Sequence, residues 1–168
     1  MLYIHCTARM AKATSISLEA AQPPEKHFWL DCWYVSLFPL DNGKCLFPFT
    51  NPHSLFSIVI LEVRRNPTFF GVVAKFRQRL ADVLVDACDS MEDIAAATEG
   101  QDQYMTCKTA SRSALGSMND MALFIGDYVN ENNRINTDDI EKILNEIPQR
   151  PIGYQQPMMK FGELDMEL

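Results

Sequence analysis

The sequence predicts an α+β fold: a mainly antiparallel sheet of about five strands with helices packed over one face. Three observations carry this. Short runs rich in aromatic and β-branched residues, separated by turn residues, fill the first third of the chain. An apolar stripe at helical spacing then runs through Phe69, Val73, Phe76, Leu80, Val83, Leu84 and Ala87, and strand and helix patterns alternate beyond it. A chain of 168 residues that is 47% hydrophobic suits one domain over 1–168 with a buried core.

Leu2, Ile4 and Cys6 alternate with Tyr3 and His5, which predicts a first strand, and a helical turn follows over 8–13. Residues 14–26 turn polar and carry Pro23-Pro24, a connection. The run 28–38 reads as a strand with Trp29 and Trp33 on one side, Leu40-Asp41-Asn42-Gly43 tolerates a tight hairpin turn, and 44–50 returns as the partner strand. Pro48 has no N–H, which places the returning strand at an edge or a bulge. After the turn at Thr50-Asn51-Pro52-His53, the apolar run 55–63 reads as a central strand covered on both faces.

Asn66-Pro67 suits the start of the longest helix, because Asn caps well and Pro fits the first helical position. Its outer side, with Lys75, Arg77, Arg79, Asp82 and Asp86, is a solvated face of mixed sign. A cap at Ser90 opens a shorter helix to 98, a turn follows over 99–103, and 104–109 alternates as a further strand. Near the end, Thr137 caps a helix whose Ile140, Ile143, Leu144 and Ile147 face inward. Pro148, Pro151 and Pro157 are expected to keep a C-terminal tail, 148–168, extended, with Ile152, Tyr154, Met158, Met159 and Phe161 as apolar anchors and a frayed acidic end from Glu163.

Ser111-Arg112-Ser113-Ala114-Leu115-Gly116-Ser117-Met118-Asn119-Asp120 is the stretch with the most chemistry. Met121, Phe124, Ile125, Tyr128 and Val129 recur at three- and four-residue steps, so a helix is expected over 117–132. Ser117 then becomes its N-cap and Asp120 the reciprocal member of a capping box. Gly116 would turn the backbone just ahead, leaving Arg112, Ser113 and the first free N–H groups near the positive end of the helix dipole. Such an arrangement either punctuates a helix or recognises a hydrogen-bonding or anionic ligand. Asp120 already supplies negative charge there, so a carboxylate or a peptide fits better than a phosphate.

These residues, followed by the apolar helix and Leu144-Asn145-Glu146-Ile147-Pro148, resemble the C-terminal half of an uncharacterised bacterial family, a domain of unknown function with an R-S-x-L-G-S-M-N-D-like box. Tyr3-Ile4-His5-Cys6-Thr7 and the Trp33 strand resemble its opening elements. The resemblance implies no activity.

A net charge of −7 and a pI near 4.9 disfavour nucleic acid and anionic membrane surfaces as partners. Five scattered cysteines, with no C-x-x-C pair, read as reduced thiols of a cytoplasmic protein. No secretory signal is legible, and no run approaches the roughly 20 apolar residues that span a bilayer. Three histidines without compact spacing predict no metal site, and no glycine-rich phosphate loop predicts a nucleotide, so no cofactor is expected.

The sequence therefore points to a non-enzymatic binding or regulatory module that takes an unknown ligand or protein partner at a loop over 111–120. Its candidate ligand-binding residues are Arg112, Ser113, Ser117, Asn119, Asp120 and His53. The alternative is a small hydrolase or nuclease-like enzyme with Ser113 as nucleophile, His5 or His53 as base and Asp120 as orienting acid, which requires a histidine within hydrogen-bond reach of the box. No catalytic residue is assigned. An edge strand and exposed aromatic side chains allow a homodimer.

Overall fold

The structure, a computed structural model, describes residues 1–19, 23, 28–63, 68–87, 94–95, 98, 100–109, 111–132 and 134–163. The expected cap at Asn66-Pro67, most of the expected helix from Ser90 and the acidic end beyond Glu163 lie outside the described residues.

Six strands form one sheet: β1 (Leu2–Cys6), β2 (Cys32–Val35), β3 (Phe38–Pro39), β4 (Cys45–Thr50), β5 (Ser57–Glu62) and β6 (Tyr104–Lys108). The expected hairpin is present. Leu40 and Lys44 close it through a 2.8 Å N–H···O bond, and Gly43 takes the left-handed conformation at φ +74 that a side chain would resist. Trp29 lies before β2, in a 3-10 turn (Trp29–Asp31), so the two tryptophans do not share a strand.

β2 and β3 are two pieces of a single lane along β4. Tyr34 lies opposite Thr50 and Val35 opposite Phe49, then Phe38 opposite Leu46 and Pro39 opposite Cys45, without a register change. The ladder breaks between them where Ser36 donates its N–H to the Pro48 carbonyl at 3.3 Å and Pro48 has no N–H to return. Pro48 therefore sits in an internal strand, flanked by the β2/β3 lane and β5, and is accommodated by this local break in the ladder.

The sheet is mixed rather than mainly antiparallel. β4 runs antiparallel to β2, β3 and β5, but β1 runs parallel to both β2 and β6. A parallel pair needs a crossover, and helix α1 (Ala8–Thr14) lies in the connection from β1 to β2. Helices cover both faces, where one was expected. Trp33, Val35, Phe47, Phe49, Ile58 and Ile60 pack under Phe69, Val73, Phe76 and Leu80 of α2 (Phe69–Ala87). Their neighbours in sequence point the other way, so Leu46 and Val59 meet Met121 and Ile125 of α3 (Arg112–Glu131) and Ile140 and Leu144 of α4 (Thr137–Glu146). Because strand side chains alternate, strands apolar at every position require cover on both sides.

β5, read from its apolar run as a central strand, is an edge strand in the hydrogen-bond ladder. Its open side is closed by side chains of α4. The Asn145 amide accepts from Ser57 N–H at 2.7 Å and donates to Ser57 C=O at 2.9 Å, while Glu141 Oε1 accepts from Val59 N–H at 2.8 Å. Residues four apart on a helix reach residues two apart on a strand, so one helix face caps two successive outward backbone positions. Glu141 Oε2 in turn accepts from Arg79 of α2 at 2.7 and 3.2 Å, and Asp138 takes a further bond from the same guanidinium at 3.0 Å. The Glu141 hydrogen bond is the largest cause raising the Arg79 pKa.

The stretch expected to run extended at the C-terminus is partly helical, with a 3-10 turn (Arg150–Ile152) and helix α5 (Pro157–Glu163). Pro157 stands at the first helical position, where its missing N–H costs nothing, and Phe161 is buried against Trp29 and Phe56.

The edge cap makes a prediction. Asn145→Ala strips a donor and an acceptor from buried Ser57 backbone groups and should cost about 2–3 kcal/mol in urea denaturation, and Glu141→Ala, which removes the acceptor from Val59 N–H and leaves Arg79 with Asp138 alone, about 2 kcal/mol. Asp138→Asn, at an exposed carboxylate, should change stability by less than about 0.5 kcal/mol.

Candidate functional site

Helix α3 starts earlier than its apolar spacing suggested. Ser111 is the N-cap, its hydroxyl accepting from Ala114 N–H at 3.1 Å, and Arg112 is the first helical residue. The expected loop over 111–120 is therefore the first two and a half turns of a 20-residue helix, and the Ser117 and Asp120 capping box is not formed. The apolar stripe extends backwards through Ala114 and Met118, which pack on Cys32 and Tyr34. That burial carries the helix through Gly116, whose missing side chain faces open space.

This shift redistributes the candidate residues. Ser117 is buried, whereas Arg112, Ser113, Asn119 and Asp120 are exposed on α3. Arg112, Leu115, Asn119 and Ala122 recur at helical spacing along one side; Ser113 and Asp120 occupy a neighbouring side. His53 is not brought to the box. It stands on the turn after β4, where Asn51 Oδ1 accepts from the backbone N–H groups of His53 and Ser54 while Asn51 Nδ2 donates to Trp29 and Cys32 carbonyls, at the amino end of β2.

His5 is buried, with Nδ1 2.9 Å from the Lys108 carbonyl, so Nδ1 carries the proton, and its ring stacks on Tyr34 at 4.5 Å. The Tyr34 hydroxyl accepts from Ser111 N–H at 3.2 Å. This chain of contacts ties β1, β2 and β6 to the cap of α3. Among the described residues, no hydrogen bond joins a histidine to Ser113 or Asp120.

The site that does take shape lies past the carboxyl ends of β1 and β2. The chain leaves β1 at Thr7, whose hydroxyl caps α1 by accepting from Met10 N–H at 3.3 Å. It leaves β6 for α3, and the two helices pack on opposite faces of the sheet. Where neighbouring parallel strands send their connections to opposite faces, a crevice opens at their carboxyl ends. Beside that divergence, on the side of β1 where β2 and β3 lie, there is a cleft of about 490 Å³. Leu37, Phe38, Pro39 and Pro48 form one wall, Leu115, Met118, Asn119 and Ile125 the other, and Thr7, Arg9 and Ser36 add polar groups.

Electrostatically the cleft departs from the rest of an acidic protein. Among the described residues, its lining contains Arg9 and no carboxylate, and Arg112 heads the α3 side that lines it. Among the described residues, neither arginine forms an ion pair. Arg9 was not among the candidates read from sequence. The signal was a strand followed by a capped helix start, Thr7-Ala8-Arg9-Met10, which matters only once β1 is known to be parallel to its neighbours. A larger hollow of about 640 Å³ beside Leu61, Tyr128 and Arg134 includes Asp139, so it shows no such preference.

Other chemistry is weaker. Cys6 and Cys32 are buried, and burial, with a smaller contribution from Cys107, pushes both thiols up to about 12. They are neutral at physiological pH and poor nucleophiles. Among the described residues, no group of three His, Cys, Asp or Glu side chains is placed to hold a metal ion, and no helix is long and apolar enough to cross a membrane.

A family model described as a domain of unknown function, DUF6933, matches residues 3–160. No curated protein and no solved structure matches the chain.

Two outcomes follow from this geometry. Gly116→Ala should stabilise the protein by up to about 1 kcal/mol, since the position is helical and open, whereas a positive-φ loop would make it destabilising; thermal unfolding separates the two. For the thiols, an unfolded chain releases the Cys6 and Cys32 protons near pH 9 while the folded protein holds them to about 12. Stability is therefore intact below pH 9 and falls as pH rises towards 12, by about 1 kcal/mol per pH unit per thiol. Urea denaturation at pH 8 to 11 should show a shallower decline in the Cys6→Ala, Cys32→Ala double variant.

Proposed function

The chain belongs to the DUF6933 family of domains of unknown function, and we propose that it is a non-enzymatic binding module that takes a small acid-bearing ligand in the cleft beyond β1 and β2. The observation that supports this reading is the pairing of unneutralised arginine with apolar walls in a cleft whose described lining residues include no carboxylate. Arg9 supplies the charge and Asn119 a directional amide, while Arg112 raises the positive potential at the mouth. Leu37, Phe38, Leu115 and Met118 take the apolar part of the ligand. Of the residues singled out in the sequence, the reading keeps Arg112 and Asn119. Ser113 and Asp120 lie on the neighbouring side of α3, Ser117 is buried, and His53 belongs to the opposite end of β2.

A titration with 4-methylpentanoate and phenylacetate, followed by NMR on the full chain, tests it. Saturable shifts confined to the cleft are expected. Loss of one charge-assisted hydrogen bond in Arg9→Gln should weaken binding by about tenfold or more, Asn119→Leu should weaken it less, and His53→Ala should leave it unchanged. Equal binding by Arg9→Gln and the unmodified protein would overturn the reading.

A further inference from the structure

The backbone around the break at Pro48 says more about the ligand. Ser36 donates its N–H towards β4, and the Val35 carbonyl accepts from Thr7 N–H at 3.3 Å, towards β1. Backbone groups alternate sides along an extended strand, so Leu37 and Pro39 point to the side on which β1 lies. At that level β1 has ended, because Thr7 caps α1 and the chain turns out of the sheet. Among the described residues, no strand therefore fills the lane beside Leu37, Phe38 and Pro39, and these three residues line the cleft. Among the described residues, neither the N–H nor the C=O of Leu37 has a hydrogen-bond partner. Pro39 contributes a carbonyl and no N–H, which limits the open edge to a short stretch.

We propose that the occupant is a short peptide with a free C-terminal carboxylate, bound extended in the lane that β1 leaves unfilled. The proposal rests on the cleft being a ligand site. The peptide runs antiparallel to β3, exchanging backbone hydrogen bonds with Leu37, and its carboxylate lies near the end of β1 against Arg9. About three residues at roughly 3.4 Å each match the stretch from Ser36 to Pro39. Leu115, Met118 and Ile125 on the α3 side select an apolar side chain at the position facing them. Backbone pairing supplies affinity and this wall supplies selectivity. Charge complementarity sets the polarity of the chain, since the described residues of the cleft offer a cation and no anion.

Acetyl-Ala-Leu-Ala with a free C-terminus is the probe, titrated into ¹⁵N-labelled full-length protein beside its C-terminal amide, its analogue N-methylated at Leu, and 4-methylpentanoate. The free acid should bind at least tenfold tighter than each of the other three and move the Leu37 amide resonance downfield. Arg9→Gln should erase the preference for acid over amide while leaving the sensitivity to N-methylation. If 4-methylpentanoate binds as tightly as the peptide, or if N-methylation has no effect, the peptide proposal is overturned and the cleft remains a site for small acids. If neither the peptide nor 4-methylpentanoate binds, the cleft reading falls with it.

Discussion

One carboxylate joins the three layers of this protein. Glu141, on α4, gives one oxygen to the backbone of edge strand β5 and the other to Arg79 of α2, which lies across the sheet. A buried carboxylate is costly unless its charge and lone pairs are all answered, and here a backbone N–H and a guanidinium answer them. The strand edge is equally dependent, because Ser57 and Val59 would otherwise expose unpaired groups along a flat apolar strand. Neither requirement can be met without the other. The cap and the ion pair fix the height of α4 against β5 and of α2 against both.

Much of this was legible in the sequence, and the misreadings share a cause. The hairpin, the α2 stripe, the β6 strand and the α4 stripe are local patterns, and the structure carries each of them. Parallel pairing is not local: nothing in Leu2–Cys6 says which strands flank it. Apolar periodicity likewise reports burial and not ladder position, so β5 reads as central although Asn145 and Glu141, not a strand, close its outer side. The start of α3 was misplaced because glycine and serine at 116–117 carry loop chemistry, while the packing of Ala114 and Met118 on Tyr34 decides the matter. Arg112 and Asn119 were visible as candidates, but Arg9 and Leu37 gain meaning only from the topology.

The cleft is a product of that topology. β1 stops where its neighbour's lane continues, α1 and α3 diverge to opposite faces, and a proline in β4 interrupts the ladder at the same level. A site made from three chain departures is built of backbone as much as of side chains. This explains why no compact motif announces it.

Strand β1 also orders events during synthesis. It leaves the ribosome long before β6, one of its two neighbours; His5 and the Lys108 carbonyl it bonds stand 103 positions apart. The first half of the chain can therefore pair β1 with β2 and complete the β4–β5 ladder while one edge of β1 is still open. Until the second half emerges, the nascent protein exposes an apolar strand edge, and exposure time is set by translation speed between α2 and β6. Slow codons in that interval prolong a state prone to mispairing, and the same interval is where a chaperone that holds strand edges would act.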